Sequence, residues 1–283
     1  MKIFKDRVAV VTGGASGLGR AMAWRFAHEG MKIVLADIEK DSLDKTEAEF
    51  REAGFTAIGV RCDVSKGAEV EALAEKTLRD FGAVHVLCNN AGVAPGGLLW
   101  EQTEKDWEWA MGVNVWGVIH GARVFTPIML KQGDEGHIVN TASVAGLLSL
   151  PGMGVYCLTK HAVVTLSECL HHDLAEHTDK LRCSVLCPAF VPTRISDSER
   201  NRPALLRDPE KPKSAEDVAR EEQLRHAVQS GKISAEQVAD LVFEAVRDSR
   251  FYILPHQKIK PAIETRLQDI LLERSPTNTL PKR

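Results

Sequence analysis

The chain alternates between short apolar runs and longer stretches in which apolar positions recur with helical period. The apolar runs are rich in β-branched residues and lie at 8–12, 32–37, 57–63, 84–89, 136–143, 182–188 and 251–254. Runs of this length are typical of strands that are buried on both faces. The stretches of helical period lie at 18–29, 41–53, 69–81, 104–130 and 156–177. This alternation predicts a doubly wound α/β fold, in which helices cover both faces of a parallel sheet.

The polarity of the chain changes after the sixth apolar run. Of the 37 residues at 196–232, 16 are charged. Two capping boxes open helices in and after this segment, namely Ser214 with Asp217 and Ser234 with Gln237. Pro261 is suited to the first turn of a last helix. We therefore predict a single domain over 1–283, with a helical arm at about 194–232 and a C-terminal helix and tail at about 261–283.

Charge, cysteine and histidine content narrow the class of protein. The 283 residues carry 36 Lys and Arg against 39 Asp and Glu, with no basic stripe among aromatic residues, so we expect no nucleic-acid partner. No apolar run reaches the roughly 18 residues of a membrane span, and no signal peptide is recognisable. The six cysteines form no C-x-x-C pair, and His171, His172 and His177 complete no metal-ligand spacing. We expect a cytoplasmic protein without a membrane or metal partner.

A glycine-rich turn joins the first predicted strand to the first predicted helix. Its sequence is Thr12-Gly13-Gly14-Ala15-Ser16-Gly17-Leu18-Gly19. Glycine permits positive φ and a close approach of the backbone to a ligand, and a helix N-terminus offers free N–H groups to an anion. The place between strand and helix favours a site for the pyrophosphate of a dinucleotide, with a bare structural turn as the alternative.

Asp37 ends the second predicted strand, 18 residues after Gly19. An acid at this place accepts hydrogen bonds from the adenosine ribose hydroxyls, and its charge repels the 2′-phosphate of NADP(H). Neither Ala15 nor Ile38 is a cationic residue that would offset this repulsion. We therefore expect NAD(H) as the cofactor, with a solvated acid at a strand end as the alternative.

Tyr156 and Lys160 lie four positions apart and so share one face of a predicted helix. An ammonium close to a phenol stabilises the phenolate, so we expect Lys160 to lower the pKa of Tyr156 from its usual value of about 10. Ser143 ends a predicted strand 13 residues earlier, at the edge where sites in parallel sheets assemble. An ordinary surface pair on a helix is the alternative.

Together these residues resemble the short-chain dehydrogenase/reductase family, in its single-domain branch with TGxxxGxG and YxxxK motifs. The resemblance rests on the glycine turn, Asn89-Asn90-Ala91-Gly92, Asn114, Ser143 and Tyr156-xxx-Lys160. It covers about residues 5–195 and the run at 251–254. It implies a Rossmann-type sheet with the arm as an inserted helical substrate lid, and an oxidoreductase that interconverts a secondary alcohol and its ketone.

The resemblance also implies a role for individual residues. Tyr156 would be the general acid/base, and Ser143 would orient the substrate oxygen. Lys160 would lower the pKa of Tyr156 and bind the nicotinamide ribose, and Asn114 would hold a water in a proton relay from Lys160. The residues implied to bind NAD are Gly13, Ser16, Gly17, Leu18, Gly19, Asp37, Ile38, Asp63, Val64, Asn90, Ala91, Gly92, Tyr156, Lys160, Pro188, Val191 and Thr193.

The residues expected to face the substrate are all apolar, namely Val93, Ala94, Val144, Leu150, Met153 and Phe190. They favour a hydrophobic alcohol or ketone over a free sugar or an acid, with a place in the apolar core as the alternative for each residue. Ala189 stands where the family usually has glycine, and its methyl group could slightly reshape the nicotinamide pocket. The resemblance further implies a homodimer or homotetramer that forms through the helices at 104–130 and 156–177.

Two other functions stay open at this point. An NADP-linked carbonyl reductase would differ in its cofactor. A non-catalytic regulator that senses NAD would have kept the fold and typically lost the tyrosine or the lysine, and this chain has both Tyr156 and Lys160.

Overall fold

The computed structural model describes residues 1–207 and 214–279, in which the strands form one seven-stranded sheet. The strands are β1 (Val8–Thr12), β2 (Lys32–Asp37), β3 (Ala57–Arg61), β4 (Val86–Asn89), β5 (Gly136–Thr141), β6 (Leu181–Leu186) and β7 (Tyr252–Ile253). All neighbouring strands are parallel, in the order β3-β2-β1-β4-β5-β6-β7. The predicted parallel sheet is confirmed.

Helices pack on both faces of this sheet. The described α-helices are α1 (Gly17–His28), α2 (Lys40–Glu52), α3 (Gly67–Phe81), α4 (Glu104–Met111), α5 (Gly117–Gln132), α6 (Gly154–His177), α7 (Ala215–Gln229), α8 (Ala235–Asp248) and α9 (Lys260–Leu271). Different apolar clusters lie on the two faces of the sheet, because successive side chains of a strand point to opposite sides. Ala9 and Val11 of β1 pack with α1, α2 and α8, whereas Val8 and Val10 pack with α3, α5 and α6. The doubly wound Rossmann-type fold is therefore confirmed.

The predicted helix at 104–130 is wrong as a single element. Helices α4 and α5 are separated by a π-helical turn, Gly112–Trp116. Inside that turn the side chain of Asn114 is completely buried and bonds to the backbone of Val93. A π turn adds one residue to a helix and hardly changes its apolar spacing, so periodicity cannot reveal it.

The order of the strands creates a crevice at their carboxyl ends. From β1 the chain proceeds to β2 on one side and, after β3 and α3, to β4 on the other side. In open α/β sheets this reversal leaves a gap between the connections, and ligands bind there. Two short 3₁₀ helices (Ile195–Asn201 and Ala204–Leu206) and α7 belong to the segment that follows β6. The described part of the predicted arm is thus helical.

Both predicted capping boxes are present at the helices that they were expected to open. The hydroxyls of Ser214 and Ser234 accept hydrogen bonds from the backbone N–H groups of Asp217 and Gln237, at the starts of α7 and α8. The predicted arm and tail also contain residues 208–213 and 280–283, which lie outside the described residues.

Candidate active site

A cavity of about 400 Å³ lies at the carboxyl edge of the sheet. Nearly all of the residues predicted to form the site line this cavity, with Gly19 and Asn114 as the exceptions. A side-chain carbon at Gly19 would come within 2.1 Å of the carbonyl oxygen of Gly13, so Gly19 allows α1 to pack against the turn. Its predicted contact with a cofactor stays a prediction.

The glycine turn forms one end of the cavity together with the N-terminus of α1. Gly13 and Gly17 have positive φ angles of 65° and 52°, which favour glycine. The Thr12 hydroxyl accepts hydrogen bonds from the backbone N–H groups of Asn90 (2.9 Å) and Ala91 (3.1 Å), which ties the turn to the end of β4. Ser16 precedes α1 without capping it through its side chain. A helix N-terminus of this kind fits a pyrophosphate.

Asp37 lies beside this turn and is almost completely buried. Its two carboxylate oxygens accept hydrogen bonds from the backbone N–H groups of Ala15 and Glu39, both at 3.0 Å. Burial nevertheless raises the pKa of Asp37 above its usual range. Each oxygen keeps a second lone pair, so the carboxylate fits two ribose hydroxyls at the predicted place.

Glu39 is a second acid at this end of the cavity, and sequence reasoning missed it. Its carboxylate accepts hydrogen bonds from Arg200 (2.6 Å) and Asn201 (2.7 Å) of the arm. These bonds and the nearby guanidinium groups hold the pKa of Glu39 below its usual range. Arg200 and Glu39 are 161 positions apart, so no local pattern points to this pair.

The residues of the predicted catalytic group meet at the middle of the cavity. Tyr156 and Lys160 lie in the first two turns of α6, and Ser143 follows β5. The Lys160 Nζ is 5.7 Å from the centre of the Tyr156 ring and donates a hydrogen bond to the Thr141 carbonyl oxygen (2.9 Å). The Ser143 hydroxyl donates to the carbonyl oxygen of Pro188 (3.3 Å). This arrangement places a phenol, a hydroxyl and an ammonium around the same part of the cavity.

The pKa of Tyr156 is shifted in the direction opposite to the sequence-based expectation. Burial raises it to about 12, and a hydrogen bond with Ser143 acts against this rise. Burial also lowers the pKa of Lys160 to about 8, because a charged ammonium is poorly solvated there. In the protein alone, desolvation of the phenol therefore sets the direction of the shift, and the Lys160 ammonium is not among its main causes.

Asn114 lies behind the catalytic group, outside the cavity wall. Its amide oxygen accepts from the Val93 N–H (2.8 Å), and its amide nitrogen donates to the Val93 carbonyl (2.9 Å) and to the Thr159 hydroxyl (3.0 Å). Both amide hydrogens are thus used within the protein. The water relay stays a prediction, and the Asn114 side chain acts in this structure as a clamp between the π turn, α6 and the segment after β4.

The six residues expected to face a substrate all line the cavity, namely Val93, Ala94, Val144, Leu150, Met153 and Phe190. Ala189 also lines it, and its N–H donates to Nδ1 of His256 (3.1 Å). Five residues of α7 that sequence reasoning did not single out complete this wall, namely Arg220, Gln223, Leu224, Ala227 and Val228. Their helical spacing was visible in the sequence, but their orientation toward the site was not.

Residues 1–207 and 214–279 show neither a metal centre nor a membrane-spanning helix. In those ranges, no three His, Cys, Asp or Glu side chains gather closely enough to hold a metal ion. Nor does any helix of the described chain combine the length and apolar character needed to cross a bilayer.

Comparison with known proteins identifies relatives over the whole chain. Residues 7–204 match the family model described as short chain dehydrogenase. The CLA biosynthesis dehydrogenase/reductase of Lactiplantibacillus plantarum is 36% identical over 278 residues, which are 98% of this chain and 97% of that protein. The 1-deoxy-11-beta-hydroxypentalenate dehydrogenase of Streptomyces exfoliatus is 32% identical over 268 residues, 94% of this chain and 89% of that protein.

A solved structure extends the similarity to three dimensions. The short chain dehydrogenase/reductase from Burkholderia phymatum, in complex with NAD, has a TM-score of 0.97 and is 54% identical, and the match covers 100% of both chains. The similarity therefore includes the arm and the C-terminal helix as well as the sheet.

Proposed function

The chain belongs to the short-chain dehydrogenase/reductase family, and on this basis we propose that it is an NAD(H)-dependent oxidoreductase that interconverts a hydrophobic secondary alcohol and its ketone. The observation that carries the proposal is the joint placement of Ser143, Tyr156 and Lys160 on a largely apolar cavity that has Asp37 at its other end. The NAD bound by the related Burkholderia phymatum protein supports the choice of cofactor.

The residues proposed to hold the dinucleotide extend along the carboxyl ends of the strands. The N-terminus of α1 would bind the pyrophosphate, and Asp37 would accept hydrogen bonds from the adenosine ribose. Asp63 and Val64 would lie by the adenine, and Pro188, Val191 and Thr193 by the nicotinamide. When bound, NAD supplies a hydride acceptor and, in its oxidised form, a positive charge that favours a phenolate nearby.

We assign the transfer of the proton to and from the substrate oxygen to Tyr156. In the oxidative direction its phenolate takes the proton of the substrate hydroxyl, and in the reductive direction its phenol returns a proton to the carbonyl oxygen. Ser143 donates a hydrogen bond that fixes the substrate oxygen, and Lys160 stabilises the phenolate by its charge. The apolar wall excludes water, which strengthens these electrostatic interactions.

The NADP-linked reductase is the second candidate, because Arg194 and Arg200 reach the adenosine end of the cavity. A guanidinium near a 2′-phosphate would favour NADP(H). Arg200, however, is paired with Glu39, and Asp37 adds a further negative charge. We therefore expect a fluorescence titration to give tighter binding of NADH than of NADPH.

Catalysis is tested by following absorbance at 340 nm while NAD⁺ is mixed with a panel of hydrophobic secondary alcohols. We expect NADH formation by the wild-type protein and a loss of at least about a hundredfold in kcat for Tyr156→Phe, with NADH affinity nearly unchanged. Tyr252→Phe is the matched control and should keep full activity. Retention of most activity by Tyr156→Phe would refute the assigned chemistry, and NADH binding without turnover of any alcohol or ketone would favour the non-catalytic regulator.

The proposal extends to the whole chain and its assembly. The arm would act as the substrate lid of a single domain, and the protein would be a cytoplasmic homodimer or homotetramer.

A further inference from the structure

One face of α7 forms part of the cavity wall and changes in character along its length. Its cavity-lining residues have the spacing i, i+3, i+4, i+7 and i+8, and are Arg220, Gln223, Leu224, Ala227 and Val228. The last three of these residues are apolar, and the first two are polar. Eight residues of helix separate the two ends, a distance of about 12 Å.

The two ends of this face lie near different parts of the site. Gln229, at the C-terminal end, donates a hydrogen bond to the Thr193 carbonyl oxygen (3.2 Å), on the side proposed for the nicotinamide. Arg220 lies near the loop that leads to α6, since a side-chain carbon at Gly152 would be 3.9 Å from Arg220 Cδ. This loop supplies Leu150 and Met153 to the apolar wall. The guanidinium thus lies beyond the apolar residues, seen from the nicotinamide side.

The other charged groups that line the cavity, among the described residues, have different surroundings. The carboxylates are those of Asp37, at the end of β2, and of Glu39 and Asp63, which follow β2 and β3 at the adenosine end. Arg194 and Arg200 lie within ion-pair distance of Glu39 at that same end. Lys160 belongs to the catalytic group. Within the described cavity wall, Arg220 is therefore the cation that borders the apolar substrate side.

The ion pairs of Arg220 among the described residues both lie within α7. Its guanidinium contacts Asp217 (3.1 Å) and Glu216 (3.3 Å). The Glu216 side chain is 81% exposed, and such surface pairs contribute little to stability. Exchange of Glu216 for a ligand carboxylate would therefore cost little, and guanidinium has the planar geometry for a two-point contact with a carboxylate.

We propose that Arg220 binds a carboxylate of the substrate, so that the substrate class is a hydrophobic hydroxy acid or oxo acid. An apolar segment would separate its acid group from the carbon that reacts beside Tyr156. This inference rests on the proposed function and narrows it. It departs from the sequence-based expectation that the substrate is not an acid. That expectation rests on six apolar residues and does not include the α7 residues of the cavity wall.

The test uses a series of (ω−1)-hydroxy fatty acids of increasing length, together with their methyl esters, which lack the charge. We expect the wild-type protein to prefer the acid to its ester at the best chain length. Arg220→Gln should lower kcat/KM for the acid about tenfold and leave the ester nearly unchanged, because a hydrogen bond to a charged group is lost. Arg225→Gln, which removes the same charge from an exposed position of α7, should change neither.

Calorimetric binding of the corresponding oxo acids and oxo esters to the protein with NADH provides a readout apart from turnover. Equal use of acid and ester by the wild-type protein, or an equal loss for both in Arg220→Gln, would overturn the carboxylate subsite and leave the dehydrogenase proposal intact. If no member of the series were turned over, the proposed function would fail for this class. The calorimetric difference between acid and ester would then still decide the role of Arg220.

Discussion

At the scale of single residues, Lys160 is a charged group in a place that suits an apolar one. Its side chain is 3% exposed, and the bond to the Thr141 carbonyl is its one hydrogen bond described in the structure. Burial lowers its pKa to about 8, so the ammonium form still prevails at neutral pH. The fold therefore carries a cost at this position, and the benefit is a positive charge beside Tyr156.

This cost predicts how stability depends on pH. The unfolded chain holds the lysine proton up to about pH 10.5, whereas the folded chain releases it near pH 8, so the unfolded state binds more protons between these values. Wild-type stability should thus rise through this window relative to Lys160→Met, by about 3 kcal/mol in total. Denaturant unfolding of both proteins from pH 7 to pH 10 measures the difference. A difference that does not vary with pH would contradict the buried ammonium.

At the scale of elements, the first 3₁₀ helix of the arm is anchored to both ends of the site. Arg200 and Asn201 bond to Glu39 at the adenosine end. The Ser198 hydroxyl accepts a hydrogen bond from the backbone N–H of Ala94 (3.1 Å), on the side proposed for the substrate. The arm therefore links the turn after β2 to the apolar wall of the cavity, and we expect cofactor binding and arm closure to favour each other.

Replacement of Glu39 by Gln should loosen this link. The variant keeps the size of the side chain and loses the charge that holds Arg200, so we expect about tenfold faster amide exchange in 195–201 and weaker NADH binding. Glu49→Gln is the control, because Glu49 bonds to Arg20 (2.6 Å) between α1 and α2 and does not line the cavity. Unchanged exchange in the arm of Glu39→Gln would show that Glu39 does not hold it.

At the scale of the whole molecule, two buried histidines make folding sensitive to acid. Nδ1 of His85 accepts a hydrogen bond from the Val8 N–H (3.1 Å), and Nε2 of His137 lies 2.6 Å from the Ser184 hydroxyl. Burial lowers their pKa values from 6.5 to about 4 and about 3. Both side chains are therefore neutral in the folded protein at pH values where they would be charged in the unfolded chain.

The consequence is a loss of stability as the pH falls below about 6.5. Protons bind to the unfolded histidines first, so each residue removes up to about 1.4 kcal/mol per pH unit until its folded pKa is reached. His137→Gln should reduce this slope by up to about 1.4 kcal/mol per pH unit between pH 6 and pH 5, above the range in which most carboxylates titrate. Urea unfolding at a series of pH values gives the slope. An unchanged slope in the variant would mean that His137 is not buried as a neutral group.

The parts of the fold and the site that could be predicted are those that local patterns encode. Strands such as β1 appear as continuous apolar runs, the capping boxes lie within four residues, and the glycine turn and Tyr156-xxx-Lys160 are short motifs. The predicted strand at 57–63 ends at Arg61, because the chain there already turns toward α3. Boundaries of this kind depend on packing as well as on composition.

The sequence by itself determined the α/β class, the family resemblance and many of the residues that gather around the cavity. The tertiary structure alone decided the π turn at Asn114, the contact of Arg200 with Glu39, the orientation of α7 that brings Arg220 to the cavity wall, and the direction of the Tyr156 pKa shift. The physical reason is the same in each case. Contacts between distant residues, and the desolvation of a charge, depend on how the elements pack, and a local pattern of side chains does not contain that information.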